Sequence, residues 1–275
     1  SLAVEAANGL VDLEGGDDLE RMVVKRLQIR EGSVMDSSLV SGLMLLKSRV
    51  DSTSPGNSDG GVVAIIDGGL EHAKLETDAS IEVSSLGIMQ EFHERSRENM
   101  QKQVAHLSSL GVDLLVVRDG IADEAITQLT KAGIVAYRRF ERSDMDLLSR
   151  ITGARPVRNV SALGDDDLGA YSKRGEERIA DVKHTLIEGD GGGMTLIVRG
   201  SSPAVREEAI RIFDDAIGVA HRLNSRPGVL PGGGAIQSPL ARHLRSFSQT
   251  QSGREQLAIE AYASALESIP RILAE

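Results

Sequence analysis

The sequence predicts an α/β fold organised around a parallel βαβα unit. Residues 112–117 (VDLLVV, apolar but for Asp113) and 134–137 (IVAY) are apolar runs of strand length, and 62–66 (VVAII) is a third. Residues 124–133 and 143–151 follow two of these runs with helical spacing of apolar positions, each closed by a glycine, Gly133 and Gly153. Strands covered by helices on both faces read as continuous apolar runs, whereas strands with one wet face alternate.

Taken from the start, residues 1–9 read as a short helix, 14–18 as an acidic turn and 22–29 (MVVKRLQI) as a strand. A further apolar run covers 42–47, and the turn residues of 51–61 (DSTSPGNSDGG) mark a loop before the strand at 62–66, which ends in Asp67-Gly68-Gly69. A short strand is expected at 79–83. The segment from about 85 to 110 has helical character, but Phe92 and Met100 bracket an almost wholly charged stretch, so half of this helix buries little, which fits a helix that projects, one solvated on nearly all sides, or an ordinary surface helix. Ser143 is placed as the N-cap of the helix at 143–151. Asp165-Asp166-Asp167 reads as a solvated turn. Strands at 178–182 and 185–188 read as a hairpin, and the glycine-rich stretch 189–193 as another hairpin turn, since a strand (194–198) rather than a helix follows it.

The long helix after Ser201-Ser202-Pro203 carries Val205, Ala209, Ile212, Ala216, Ala220 and Leu223 at three- and four-residue steps, which puts them on one face. Pro227 and Gly228 stop it. Gly232, Gly233 and Gly234 follow and lead into an amphipathic pattern over 236–244. Bare backbone N–H groups without Cβ atoms let an anion come close at such a turn. The last amphipathic helix, 253–269, places Leu257, Ala261, Ala265 and Ile269 on one face, with Pro270 ending or kinking it.

Composition narrows the function classes. The 275 residues carry a net charge of -10 and 3% aromatics, with no Trp, which argues against a phosphate-backbone or base-stacking partner. There is no cysteine, hence no disulfide, thiol nucleophile or thiolate metal site. No run reaches the ~20 apolar residues of a membrane-spanning helix. The first residues lack the basic flank of a secretory signal. The six histidines show no ligand spacing, and no nucleophile motif is present. Without an initiator Met, and stopping in mid-pattern, the sequence reads as a piece of a longer chain.

In combination, GREQLAIEAYASALESIPRILAE (253–275), the Gly232–Gly234 run and DDA at 214–216 resemble the group II chaperonin family, the archaeal thermosome. LAVEAANGLVDLEGG (2–16), GSVMDSSLVSG (32–42) and 111–154 extend the resemblance along the whole chain. Leu46, where an Asp usually precedes Lys47, and the Ser201-Ser202 pair depart from the family pattern. The resemblance implies three threaded domains: intermediate (1–38), apical (39–190) with a helical protrusion about 84–106, intermediate again (191–227), and part of the equatorial domain (228–275). It implies that Asp215 is the water-activating catalytic residue and that Gly232, Gly233 and Gly234 contact nucleotide, 17 residues separating Asp215 from Gly232. ATP and Mg2+ are the implied cofactors, with the metal's ligand expected outside this chain and no metal site within it. Implied partners are unfolded client polypeptides and other subunits of a double ring in the cytoplasm, with no nucleic acid and no membrane. Two readings stay open: a subunit of an ATP-driven folding chamber, and a non-catalytic chaperonin-like scaffold without a complete ATP site.

Overall fold

The computed structural model describes residues 1–11, 24–71, 86–225 and 227–275. The acidic turn at 14–18 and the strand expected at 79–83 lie outside these residues. In chain order the elements are α1 (Leu2–Val11), β1 (Val24–Ile29), β2 (Ser38–Ser41), β3 (Leu43–Leu45), β4 (Gly61–Ile66), α2 (Leu86–Ser109), β5 (Leu114–Val117), α3 (Asp123–Lys131), β6 (Val135–Tyr137), α4 (Arg142–Thr152), β7 (Gly169–Tyr171), β8 (Lys173–Ile179), β9 (Val182–Glu188), β10 (Met194–Arg199), α5 (Pro203–Ser225), α6 (Gln237–Ser248) and α7 (Arg254–Ala274). They form a mixed α/β structure in two compact units, 1–224 and 225–275.

The expected parallel unit is present. Its sheet runs β6-β5-β4-β7, with β4, β5 and β6 parallel and β7 antiparallel to β4. Alternate residues of the same strands go to opposite faces. Ala64, Ile66, Leu115 and Val117 meet Met100, Val104 and Leu107 of α2 and Ala125 and Leu129 of α3. Val63, Ile65, Leu114 and Val116 meet Met145 and Leu148 of α4 and Leu43 and Ile187 of the neighbouring sheet. Both sets are shielded from water, which is why these strands have no polar alternation. On α2, Met100, Val104 and Leu107 are buried, while Glu94, Arg95, Arg97, Glu98 and Asn99, one turn earlier, are exposed.

A second sheet, β3-β9-β8, is antiparallel throughout. Its hairpin turn is Ala180-Asp181, with φ of 51° and 60°, and not residues 183–184 as the apolar pattern suggested. Two consecutive left-handed residues make the turn whose twist matches the flanking strands; the usual Asn-Gly or Asp-Gly signal is missing.

The third sheet, β1-β10-β2, joins segments far apart in the chain. β1 runs parallel to β10, Val24 opposite Met194 through Ile29 opposite Arg199, and β2 pairs antiparallel on the other side. Gly42 N–H donates to the Gly193 carbonyl at 2.8 Å, so the excursion through 43–192 leaves and returns at one point. Because β9 and β10 belong to different sheets, 189–193 is a crossing between sheets and not a hairpin turn. Its glycines are there for close approach: a Cβ on Gly191 would stand 1.8 Å from the Arg150 carbonyl oxygen, and one on Gly189 2.5 Å from that of Ile151.

Helix ends differ in detail from the pattern. α4 starts one residue before Ser143, with Glu141 at the cap position and no side-chain cap bond; Gly153 closes it at φ 77° as expected. α7 continues through Pro270 to Ala274.

Candidate functional site

α5 begins where Pro203, preset in φ, follows Ser202. Its covered face is Arg206, Ile210, Phe213, Ile217 and His221, with Phe213 and Ile217 joining Ala3, Ala6 and Ala7 of α1 and Val24, Leu196 and Val198 of the sheet. It is not the face that the spacing picks out: Val205, Ile212, Ala216 and Leu223 are exposed, and only Ala209 and Ala220 of that set are partly covered. The helix has two apolar stripes, and periodicity alone does not say which meets the sheet.

Polar ties hold α5 in register. Buried Arg206 donates from Nη1 to the Gly200 carbonyl at 2.6 Å and from Nε to Gln28 Oε1 at 3.1 Å. Arg26 of β1 donates from Nη2 and Nε to Asp214 Oδ1, at 2.5 and 3.2 Å. Neither tie was visible in the sequence, since 188 positions separate Arg26 from Asp214. Asp215 is two residues from both Phe213 and Ile217, which at about 100° per residue turns its side chain away from the sheet. Its side chain is 74% exposed and stands 3.6 Å from Arg211 Nη1. Arg211 is engaged more closely by Glu208, at 2.6 and 3.0 Å; this hydrogen bonding holds the Glu208 carboxyl below its ordinary range. Asp215 is thus a solvent-facing carboxylate on a backbone fixed by neighbours at 206 and 214.

The three glycines lie in the other unit and differ among themselves. Gly233 and Gly234 are left-handed, with φ of 67° and 81°, and the turn closes through Ala235 N–H to the Gly232 carbonyl and Ser238 N–H to the Gly234 carbonyl. Beyond Gly232 and Gly233 lies open space. Gly234 instead abuts Pro270 of α7, where an added Cβ would fall 2.6 Å from the proline Cβ. Gly232 and Gly233 are therefore open and exposed, while Gly234 is packed against α7.

Within 225–275, α6 and α7 pair through few buried side chains, Ala241, Ser248 and Ala263, and through the Arg245–Glu267 ion pair. Leu257, Ala261, Ala265 and Ile269, which the spacing places on one face of α7, are all exposed. Among the described residues no group of three or more His, Asp or Glu could hold a metal ion, and no helix is long and apolar enough to cross a membrane.

The described residues thus comprise an interrupted α/β body with a long return helix and, as a separate unit, a helix pair preceded by a glycine turn. A family model described as the TCP-1/cpn60 chaperonin family matches residues 1–275, and the chain belongs to that family. A thermosome subunit of Methanopyrus kandleri is 36% identical over 277 residues, covering 100% of this chain and 51% of the relative. Thermosome subunit 1 of Haloferax volcanii is 36% identical over 276 residues, covering 100% and 49%. The chain spans about half the length of the curated relatives it matches. An open-state monomer of a group II chaperonin from Methanococcoides burtonii shares the fold, with a TM-score of 0.74 at 24% identity over 98% of this chain and 62% of that one.

Proposed function

We propose that the chain is part of a subunit of a cytoplasmic, ATP-dependent group II chaperonin that encloses unfolded polypeptides within a ring assembly. In this reading 1–38 and 191–227 form the intermediate domain, 39–190 the apical domain with its protrusion about 84–106, and 228–275 part of the equatorial domain. The observation that carries it is Asp215, an exposed carboxylate on the side of α5 opposite its buried face. Such a group orients and partly deprotonates the water that attacks a terminal phosphate. The open backbone at Gly232 and Gly233 fits phosphate oxygens. In this reading the ligands of Mg2+ lie outside this chain, as the family resemblance implies, and the ion would neutralise phosphate charge.

The test is Asp215→Ala in an assembled, full-length chaperonin carrying these residues. ATP binding is expected to persist while turnover falls by about 10²–10⁴, the usual share of a positioned base. Unchanged turnover removes the catalytic assignment. Absence of nucleotide binding by the unsubstituted assembly supports the scaffold reading instead.

A further inference from the structure

Four Asp-Gly steps occur in the sequence, at 59–60, 67–68, 119–120 and 190–191. Such a step can rearrange, because a glycine nitrogen with no Cβ beside it comes within reach of the preceding side-chain carboxyl. Three of the four are held against this. Asp67 accepts from Arg118 Nη1 on one oxygen at 2.5 Å and from Arg142 Nη2 on the other at 3.3 Å. Asp119 accepts from Arg118 on both oxygens at 3.1 Å. That contact holds the Asp119 carboxyl below its ordinary range and so in the anionic form, the poorer electrophile. Behind Asp190 the nucleophile is engaged instead, since Gly191 N–H donates to the Ile151 carbonyl at 2.9 Å. The single Asn-Gly step, Asn8-Gly9, lies inside α1, where Asn8 Oδ1 accepts from Asn224 Nδ2 at 3.1 Å.

Asp59 differs from all of these. It is exposed at a bend, and among the described residues its carboxylate has no hydrogen-bond or ion-pair partner and Gly60 N–H has no acceptor. The bend is held on both sides: Ser58 exchanges backbone hydrogen bonds with Arg174 at 2.8 and 2.9 Å, and Gly61 pairs with Tyr171. We propose that Asp59-Gly60 is the site at which this chain forms isoaspartate. The Gly60 nitrogen attacks Asp59 Cγ, and its proton leaves with the carboxyl hydroxyl as water, closing a succinimide ring. Water then opens the ring at either carbonyl, returning aspartate or leaving isoaspartate, so no atom is gained or lost and no other reactant is needed. In isoaspartate the main chain runs through the side-chain methylene and is one atom longer between the pairs at 58 and 61, which pulls Ser58 out of register with Arg174. The inference rests on these contacts and not on the chaperonin reading.

The test incubates the 275-residue chain at neutral pH, digests samples over time and maps isoaspartate with an isoaspartyl methyltransferase and a labelled methyl donor. Isoaspartate is expected at 59 about tenfold or more faster than at 67, 119 or 190, which react only on local opening. Concentrated urea should bring the four steps to similar rates, because the selectivity belongs to the fold. Asp59→Glu, a change at an exposed side chain without partners, should fold normally and remove the signal at 59. Asp59→Asn should deamidate about tenfold or more faster than Asp190→Asn. Equal rates at the four steps in the folded chain overturn the proposal. The same ranking in urea overturns it too, by tracing the preference to local sequence. In the isomerised fraction the Ser58 and Arg174 amides should exchange about tenfold or more faster, and unchanged exchange overturns the shift of register.

Discussion

Replacing Gly234 by alanine should loosen the α6–α7 pair by about 2–5 kcal/mol, more than the same change at either neighbour. The figure has two sources. Gly234 sits at φ 81°, where an L-residue costs about 1–2 kcal/mol. The new Cβ would also stand 2.6 Å from Pro270 Cβ and 2.9 Å from its Cα and Cδ. A proline ring and a backbone atom cannot rotate aside, so overpacking adds about 1–3 kcal/mol. Gly233→Ala shares the backbone term, at φ 67°, but meets open space, and should cost only about 1–2 kcal/mol. Gly232→Ala meets neither obstacle and should be neutral or gain about 0.4–1 kcal/mol by restricting the unfolded chain. Amide hydrogen exchange over 237–248 and 254–274 reads all three. Should Gly234→Ala exchange no faster than Gly233→Ala, the packing role given to Gly234 is wrong.

Lys25→Met leaves Asp144, 3% exposed, without its cation and should cost about 3 kcal/mol in chemical denaturation, while adding Asp144→Leu should restore most of it. An equally unstable double variant would show that the loss is not one of uncompensated charge. Gly191→Ala drives a Cβ onto the Arg150 carbonyl and should cost about 3 kcal/mol, seen as a lowered thermal midpoint against Gly232→Ala. The Glu267 carboxyl is held below its ordinary value of 4.5, chiefly by its hydrogen bond from Arg245. A depressed folded value means the stabilising contribution is complete above the unfolded value and fades as pH falls through the folded one. Exchange protection of α6 and α7 should thus be level at neutral pH and decline below about 4.5, and Glu267→Gln should abolish that decline.

What the sequence revealed depended on how many sides of an element are apolar. β4, β5 and β6 were legible because both faces are buried, so nothing had to be chosen between them. The helices that follow β5 and β6 were legible from their spacing, and their apolar residues pack within the body: Leu129, Met145 and Leu148 are buried and Ile126 is partly covered. On α5 and α7 the apolar face picked out by spacing is not the covered one, for a common reason. Each has apolar residues at helical spacing on a side that this chain leaves exposed, and the pattern records apolarity without recording what covers it. The hairpin at Ala180-Asp181 escaped because no glycine or asparagine marks its left-handed residues. The separation of Gly234 from Gly232 and Gly233 depends on Pro270, 36 positions later, which no local pattern encodes.

The single hydrogen bond between Gly42 and Gly193 has a consequence for the order of assembly. β1 finds β10 only after the polypeptide between them has been drawn together, and closing so long a loop without help is slow. Collapse of residues 43–192 delivers both ends side by side and does that work in advance. A nascent chain should therefore complete this interior cassette first and zip the β1-β10-β2 ladder last. Swapping the cassette for a tight two-residue link ought to let the ladder form sooner but leave it less stable, because Met44, Ile179 and Leu186 no longer cover Ile29 and Ile197.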